Sequence, residues 1–359
     1  MASVSGMASG QPLWIRPAEH PPSASSGLEN GGHHYLVAGT LLVSASPLPE
    51  LSAFAAPSAL TAPLVPELDA EPAGGSTPSP QDPLQVFDGK GLLARGSRRV
   101  RCTVSSGEHR VEVRGCGSLE LSSSGRELRY RLEPGAGDEI RAELLLGPGL
   151  ILALALRDVF CLHASAVASD GRGAVFAGDS GRGKSTLAAR LGGLPGITPV
   201  ADDVLPVSAA AGEALPWFPQ LKLSPQAQFG VAQPPRLPLG ALFLLAGGPH
   251  CRTVEVCRLS PRLGGEALLR HTIAARLFSP PLLARHFEYL FSFAQRLPIF
   301  TLRYPWRSDA LEEVAAVVRQ SLDPAASSTA SEARPDLARF REDPPREHLG
   351  LQSRQRSSS

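Results

Sequence analysis

Apolar residues take every second position along much of the chain that follows residue 98. Val100, Cys102 and Val104 alternate with polar neighbours, as do Val111 and Val113, Leu119 and Leu121, and Leu128, Tyr130 and Leu132. A period of two predicts short strands with one buried face. The alternation breaks at Ser105-Ser-Gly-Glu108, Gly115-Cys-Gly117 and Ser122-Ser-Ser-Gly125, which supply hairpin turns. Residues 35–44 form an earlier strand-like block, closed by the proline-punctuated Ser46-Pro-Leu-Pro-Glu-Leu51. Residues 34–146 therefore predict a small antiparallel β-domain, with a low-complexity surface loop near 53–83.

From residue 147 onward, short apolar runs alternate with helical periodicity. Pro148 suits the first turn of a helix, so residues 149–158 predict a short buried one. Val159-Phe-Cys-Leu-His-Ala-Ser-Ala-Val-Ala168 reads as one strand and Ser169-Asp-Gly-Arg-Gly173 as a tight turn. Ala174-Val-Phe-Ala177 then reads as the returning strand. Further strands are predicted at 199–204, 221–223, 240–245 and 253–259, and helices at 264–276, 281–296 and 309–322. The mixture predicts an α/β domain over 147–322, and α+β for the chain as a whole. The ends, 1–33 and 323–359, are biased toward small, polar and proline residues and predict disorder. There is no internal repeat.

The chemistry concentrates where a predicted strand meets a predicted helix. Gly178-Asp-Ser-Gly-Arg-Gly-Lys-Ser185 fits the pattern G-x-x-x-x-G-K-[ST], with Ala174-Val-Phe-Ala177 before it and Thr186-Leu-Ala-Ala-Arg-Leu191 after it. Strand, glycine loop and helix let backbone N–H groups and a helix N-terminus converge on a polyphosphate. Lys184 would reach the terminal phosphates, and the Ser185 hydroxyl would take one position on Mg²⁺. Only Lys90, Lys184 and Lys222 are lysines among the 35 basic residues, which makes an accidental match uncommon.

Phosphoryl transfer also needs a carboxylate near the metal and one near the attacking hydroxyl. Asp202-Asp203 closes an apolar strand and supplies both. A strand parallel to the one entering the loop would bring this pair beside the γ-phosphate. His163 and Ser165 lie in the predicted strand before the loop, where a satisfied core residue is the plainer reading. Lys222, Arg303 and Arg307 are further candidates for phosphate contact, set against ordinary surface cations.

Composition narrows the class. A net charge of +1 and a pI near 7.8 give no large field for nucleic acid or an anionic membrane. The five cysteines form no C-x-x-C pair, and Cys161, Cys251 and Cys257 sit in apolar, strand-like surroundings. They predict buried thiols in a reducing compartment. No basic-then-apolar leader opens the chain, and its longest apolar stretch is shorter than the ~20 residues of a membrane span. These features predict a cytoplasmic location.

In order and spacing, His163, the turn glycines Gly171 and Gly173, the loop, and Val200-Ala-Asp-Asp203 resemble the catalytic domain of HPr kinase/phosphorylase. The resemblance spans about residues 147–320. It implies a P-loop kinase fold of the kind shared with ATP-dependent phosphoenolpyruvate carboxykinase, and phosphorylation of a serine on a protein or peptide. Residues 35–51 also look like the N-terminal β-region of shorter HPr kinase-like proteins, some of which act on ribosomal peptides. Carried onto this chain, the resemblance implies that Gly178, Asp179, Ser180, Gly181, Arg182, Gly183, Lys184, Ser185 and Thr186 bind the phosphates of ATP. It further implies Mg²⁺ on Ser185 and Asp203, Asp202 as general base, and His163 close to the reacting phosphate. The two aspartates could exchange roles. A homo-oligomer is also compatible with it.

The chain departs from the family in two places. Pro216-Trp-Phe-Pro-Gln-Leu-Lys-Leu-Ser-Pro225 stands where the bifunctional enzyme carries a glutamate- and glycine-rich stretch, and Thr186 stands where an acidic residue is usual. Phosphorylase activity and HPr itself as acceptor thus fall outside what the resemblance implies. Two other readings stay open: an ATP-binding regulator without turnover, and a small-molecule kinase or carboxykinase-like enzyme.

Overall fold

Alternation builds the first sheet. The computed structural model describes residues 13–17, 33–44, 46–55, 83–93, 96–219, 236–246, 248 and 250–323. Strands β1 (Leu13–Pro17), β2 (His33–Val37), β3 (Thr40–Ser44) and β4 (Leu84–Leu93) come first in the chain. They are followed by β5 (Gly96–Ser105), β6 (Glu108–Val113), β7 (Gly117–Leu121) and β8 (Glu127–Leu132). All eight join in the order β2-β3-β1-β8-β7-β6-β5-β4. Strands β4 to β8 form an antiparallel meander, and β1 runs parallel to both β3 and β8. Val100, Cys102, Val111, Val113, Leu119, Leu121 and Leu128 are all buried on one face. Arg99, Arg101, Arg110, Glu112 and Glu120 are exposed between them. Each buried valine or leucine contributes about 1.5–3 kcal/mol relative to an exposed one.

Gly117 begins β7 with φ 144, a conformation that L side chains rarely adopt, and a Cβ there would run into the Arg131 carbonyl oxygen. Both effects point the same way, so Gly117→Ala should cost about 3 kcal/mol or more. Urea unfolding of the variant against the parent chain measures it. A midpoint unchanged by the alanine would refute the register of β7 against β8.

Three elements here differ from the sequence-based expectation. The 35–44 block is a hairpin, β2 and β3, which turns through Ala38 (φ 47) and Gly39 (φ 69). Alanine is uncommon at positive φ, so Ala-Gly gives little turn signal. Strand β1 lies in a segment expected to be disordered, where Leu13-Trp-Ile15 is too short to show a period. Strand β4 has glycines at 89 and 91, which blank out its alternation. The predicted disordered ends and the 53–83 loop fall largely outside the described residues. Leu221-Lys-Leu223, with Lys222, does so entirely.

Two short helices follow, α1 (Asp138–Leu144) and α2 (Leu150–Leu156), joined through a kink at Gly147 (φ −82, ψ −108) next to Pro148. Pro148 does open the second helix, as expected, but α1 precedes it. All seven residues of α2 are buried, as befits a helix that is apolar all round. A Cβ on Gly149 would lie 2.9 Å from Leu128 and 3.4 Å from Leu119, so glycine brings the helix down onto the first sheet. One apolar core runs from Val111 and Leu119 through Leu152 to Phe160 and Leu205 of the second sheet.

The second sheet contains β9 (Val159–Leu162), β10 (Ala164–Ser169), β11 (Arg172–Ala177), β12 (Ile197–Ala201) and β13 (Leu205–Ser208). Its later strands are β14 (Glu213–Ala214), β15 (Leu237–Leu245), β16 (Glu255–Arg258) and β17 (Ile299–Arg303). The main path runs β12-β10-β11-β15-β17-β16, and an arm, β14-β13-β9, branches from the start of β15. Helices α3 (Lys184–Leu191) and α6 (Leu311–Leu322) pack Leu187, Leu191, Val314 and Val318 on one face, over stacked Phe176, Phe243 and Phe300. Helices α4 (Pro261–Arg270) and α5 (Pro280–Arg296) belong with the larger core, where Leu268, Tyr289 and Phe293 meet Ile299. The described chain is mixed α/β.

The predicted strand through 159–168 is broken at His163, and its halves lie in different parts of this sheet. Helix α4 stops at Arg270, well short of 276, and Ala274 takes φ 60 soon after. Strand β17, between Pro298 and Pro305, is too short for its period to be read. All five thiols are free, but only Cys102, Cys116 and Cys161 are buried; Cys251 and Cys257 are partly exposed. No helix among the described residues is long and apolar enough to cross a membrane.

Candidate active site

The site gathers at the start of β10. That strand lies between β11 and β12 and runs antiparallel to both, so these two run parallel with β10 between them. Ala164 pairs with Ala177, the residue before the glycine loop. Ala166 pairs with Ala201, the residue before Asp202. The loop and the aspartate pair thus emerge from the same edge of the sheet, on either side of His163. The parallel strand anticipated for Asp202-Asp203 is present, but one antiparallel strand separates it from the loop.

Glycine gives the loop its path. Gly178, Gly181 and Gly183 take φ 150, 82 and 84, and the Leu245 carbonyl of the neighbouring β15 would lie 3.3 Å from a Cβ on Gly178. Gly183 ends the loop as the N-cap of α3, and Leu187 N–H donates to its carbonyl at 2.8 Å. Asp179, Ser180, Arg182, Ser185 and Thr186 are exposed around it. Lys184 behaves differently. Its stem is buried and its ammonium folds back across the loop, donating to the Gly178 carbonyl at 2.7 Å and the Asp179 carbonyl at 3.2 Å. A positive charge, a helix N-terminus and the Ser185 hydroxyl therefore sit together at the loop's mouth, a setting that favours an anion.

The carboxylates are held in two separate ways. Ser165, fully buried, donates its hydroxyl to Asp202 Oδ1 at 2.7 Å. Asp203 has φ 77, uncommon for a residue with a side chain. His163 Nδ1 lies 3.2 Å from the Asp203 carbonyl oxygen and 3.2 Å from Asp203 Oδ1. Both partners can only accept from it, so Nδ1 carries the hydrogen, and a neutral ring has its lone pair on Nε2. Arg303 pairs with Glu255 at 3.1 Å and Arg307 with Asp309 at 3.3 Å, on the surface. Among the described residues, neither forms an ion pair with the loop.

His271, just past α4, had no signal in the sequence. Its carbonyl accepts the His163 N–H at 2.7 Å. Burial pushes its imidazole pKa down to about 4; Asp179 pulls the other way, while Lys184, His163 and Arg270 add to the lowering. The ring thus stands, neutral, within the electrostatic reach of the loop and of His163. The strip 271–273 is zipped against β9: Ile273 N–H donates to Cys161 O at 2.8 Å, and Thr272 bridges Leu162.

Behind the strip, fully buried His286 donates from Nε2 to Thr272 Oγ1 at 2.9 Å, because that hydroxyl donates to Leu268 O at 3.2 Å. The His286 ring packs 4.4 Å from that of Phe160, and burial pushes its pKa down to about 4. The unfolded chain takes up this proton near pH 6.5 and the folded chain only near 4. Stability should therefore be full above about pH 6.5 and fall by roughly 3 kcal/mol as the pH drops toward 4. Urea midpoints at pH 7.5 and 5 should show about 2 kcal/mol of that fall from His286, with His271 adding its own share, and the total should be smaller in His286→Gln. Equal midpoints for the parent chain would refute a neutral buried His286.

The donor set at the loop's mouth could hold an anion, and Asp203 and Ser185 are the groups there that could hold a divalent cation. No group of three or more His, Cys, Asp or Glu among the described residues could hold a metal alone. Mg²⁺ is commonly held by one or two carboxylates plus phosphate oxygens, which Asp203, Ser185 and a bound triphosphate would supply.

No protein-family model and no curated protein matches the chain. Among solved structures it is similar to the Hpr(Ser) kinase/phosphatase from Coxiella burnetii, at 15% identity and a TM-score of 0.25. The match covers 44% of this chain and 93% of that one, a distant likeness on which no functional argument rests.

Proposed function

We propose that the chain is an ATP- and Mg²⁺-dependent kinase that transfers the γ-phosphate to a serine of a protein or peptide. One observation carries the reading: the glycine loop, Asp202-Asp203 and His163 meet at the start of β10. The loop N–H groups and Lys184 hold the phosphates and stabilise charge on the transferring group. Asp202, fixed through one oxygen by Ser165, takes the proton of the acceptor hydroxyl with the other. That hydroxyl oxygen bonds to the γ-phosphorus as the bond to the β,γ-bridging oxygen breaks, releasing ADP. Asp203 and Ser185 would hold Mg²⁺, which when bound neutralises phosphate charge. His163 orients Asp203 through its Nδ1 hydrogen.

The test is incubation of the full chain with γ-labelled ATP and a pool of cellular protein and peptide. Transfer of label to serine is the expected result. Tight ATP binding with no labelled acceptor would overturn the reading.

A further inference from the structure

One side of the first sheet ends beside this site. Strand β4 is its last strand, and among the described residues its backbone pairs with β5 alone. Among the described residues, the N–H and C=O groups on the outer edge of β4 therefore have no backbone partner. Phe87, Lys90, Gly91 and Leu93 of this strand line a cleft of about 430 Å³ whose wall also contains His163 and Asp203. Arg270 at the end of α4 and the stretch after it, with Arg276, also line the cleft.

The cleft has a distinct chemistry. Leu146, Ile151 and Phe218 make part of its lining apolar. Lys90, Arg270 and Arg276 are exposed, and none of them makes an ion pair among the described residues. Its two acids are already engaged: Glu143 lies 3.7 Å from Arg98, and Asp203 faces His163 at 3.2 Å. The rim is therefore positive. The volume is that of a small-ligand pocket, enough for a few side chains of a segment.

Building on the kinase reading above, we propose that the acceptor is a peptide segment bound as an extended strand along the outer edge of β4. Its serine lies over His163 and Asp203, an apolar neighbour fills the cleft, and acidic residues meet Lys90, Arg270 and Arg276. Main-chain pairing gives such a segment affinity, and its alternate side chains give selectivity. Rim charges then discriminate between sequences by attraction and repulsion.

The experiment uses the full chain, labelled ATP and serine-centred peptides with randomised flanks, with small hydroxy acids as a separate arm. Labelled peptides should be enriched in acidic and apolar flanks. Reversing the rim with Arg270→Glu and Arg276→Glu should cut labelling of acidic-flanked peptides at least tenfold, with binding of a fluorescent ATP analogue unchanged. N-methylation of alternate amides beside the serine should also cut labelling at least tenfold. Labelling without flank preference, a preference that the reversal leaves in place, equal use of N-methylated peptides, or labelling of hydroxy acids alone would each overturn the proposal. Nucleotide binding with no label in any arm would instead overturn the kinase reading and this proposal with it.

Discussion

Lys184→Met should lower phosphoryl transfer about 10³-fold. Its ammonium now rests on the Gly178 and Asp179 carbonyls, 2.7 and 3.2 Å away, with its stem buried under the loop. An arriving triphosphate would draw that charge onto its β and γ oxygens without moving the backbone. Methionine keeps the apolar length and deletes the charge, so the fold should lose about 3 kcal/mol with the two charge-assisted hydrogen bonds. Single-turnover transfer and binding of a fluorescent ATP analogue separate the two effects. Transfer within tenfold of the parent chain would remove Lys184 from the chemistry.

Asp202→Asn comes next, with an expected loss of about 10²- to 10⁴-fold in kcat. The asparagine carbonyl can still accept the Ser165 hydrogen bond, so the position is kept and only the proton acceptor is lost. ATP affinity should stay within about twofold, because Asp202 is assigned to the acceptor and not to the phosphates. Asp203→Asn should instead weaken the Mg²⁺ dependence. Intact kcat in Asp202→Asn with impaired Asp203→Asn would exchange the two roles. Full biological function with no turnover in either variant would favour an ATP-dependent regulator.

The glycine loop was legible as a turn between strand and helix because its pattern is local: glycines at fixed offsets, a strand before and a helix after. The meander from β5 to β8 was legible for the same reason, since a half-buried strand writes its period into the chain. The environment of His163 was not. A run of apolar residues from 159 to 168 carries no mark of the break that sends β9 and β10 to different neighbours. His271 is read through its contact with His163, and His286 partly through Phe160, both more than a hundred positions earlier in the chain. Strand β4 hid behind its glycines, and with it the cleft that it borders.

The placement of β10 between β11 and β12 has a consequence for the order of assembly. Every group assigned to phosphate chemistry lies in one uninterrupted stretch from His163 to Asp203, closed by neighbouring pairings of low sequence separation. The cleft beside it needs β4, α2 and the turn after α4, drawn from distant parts of the chain. Loop-closure entropy should make the first set of contacts form early and the second late. Hydrogen exchange under mild denaturant should then reveal a partly opened form that retains nucleotide while its acceptor groove has come apart.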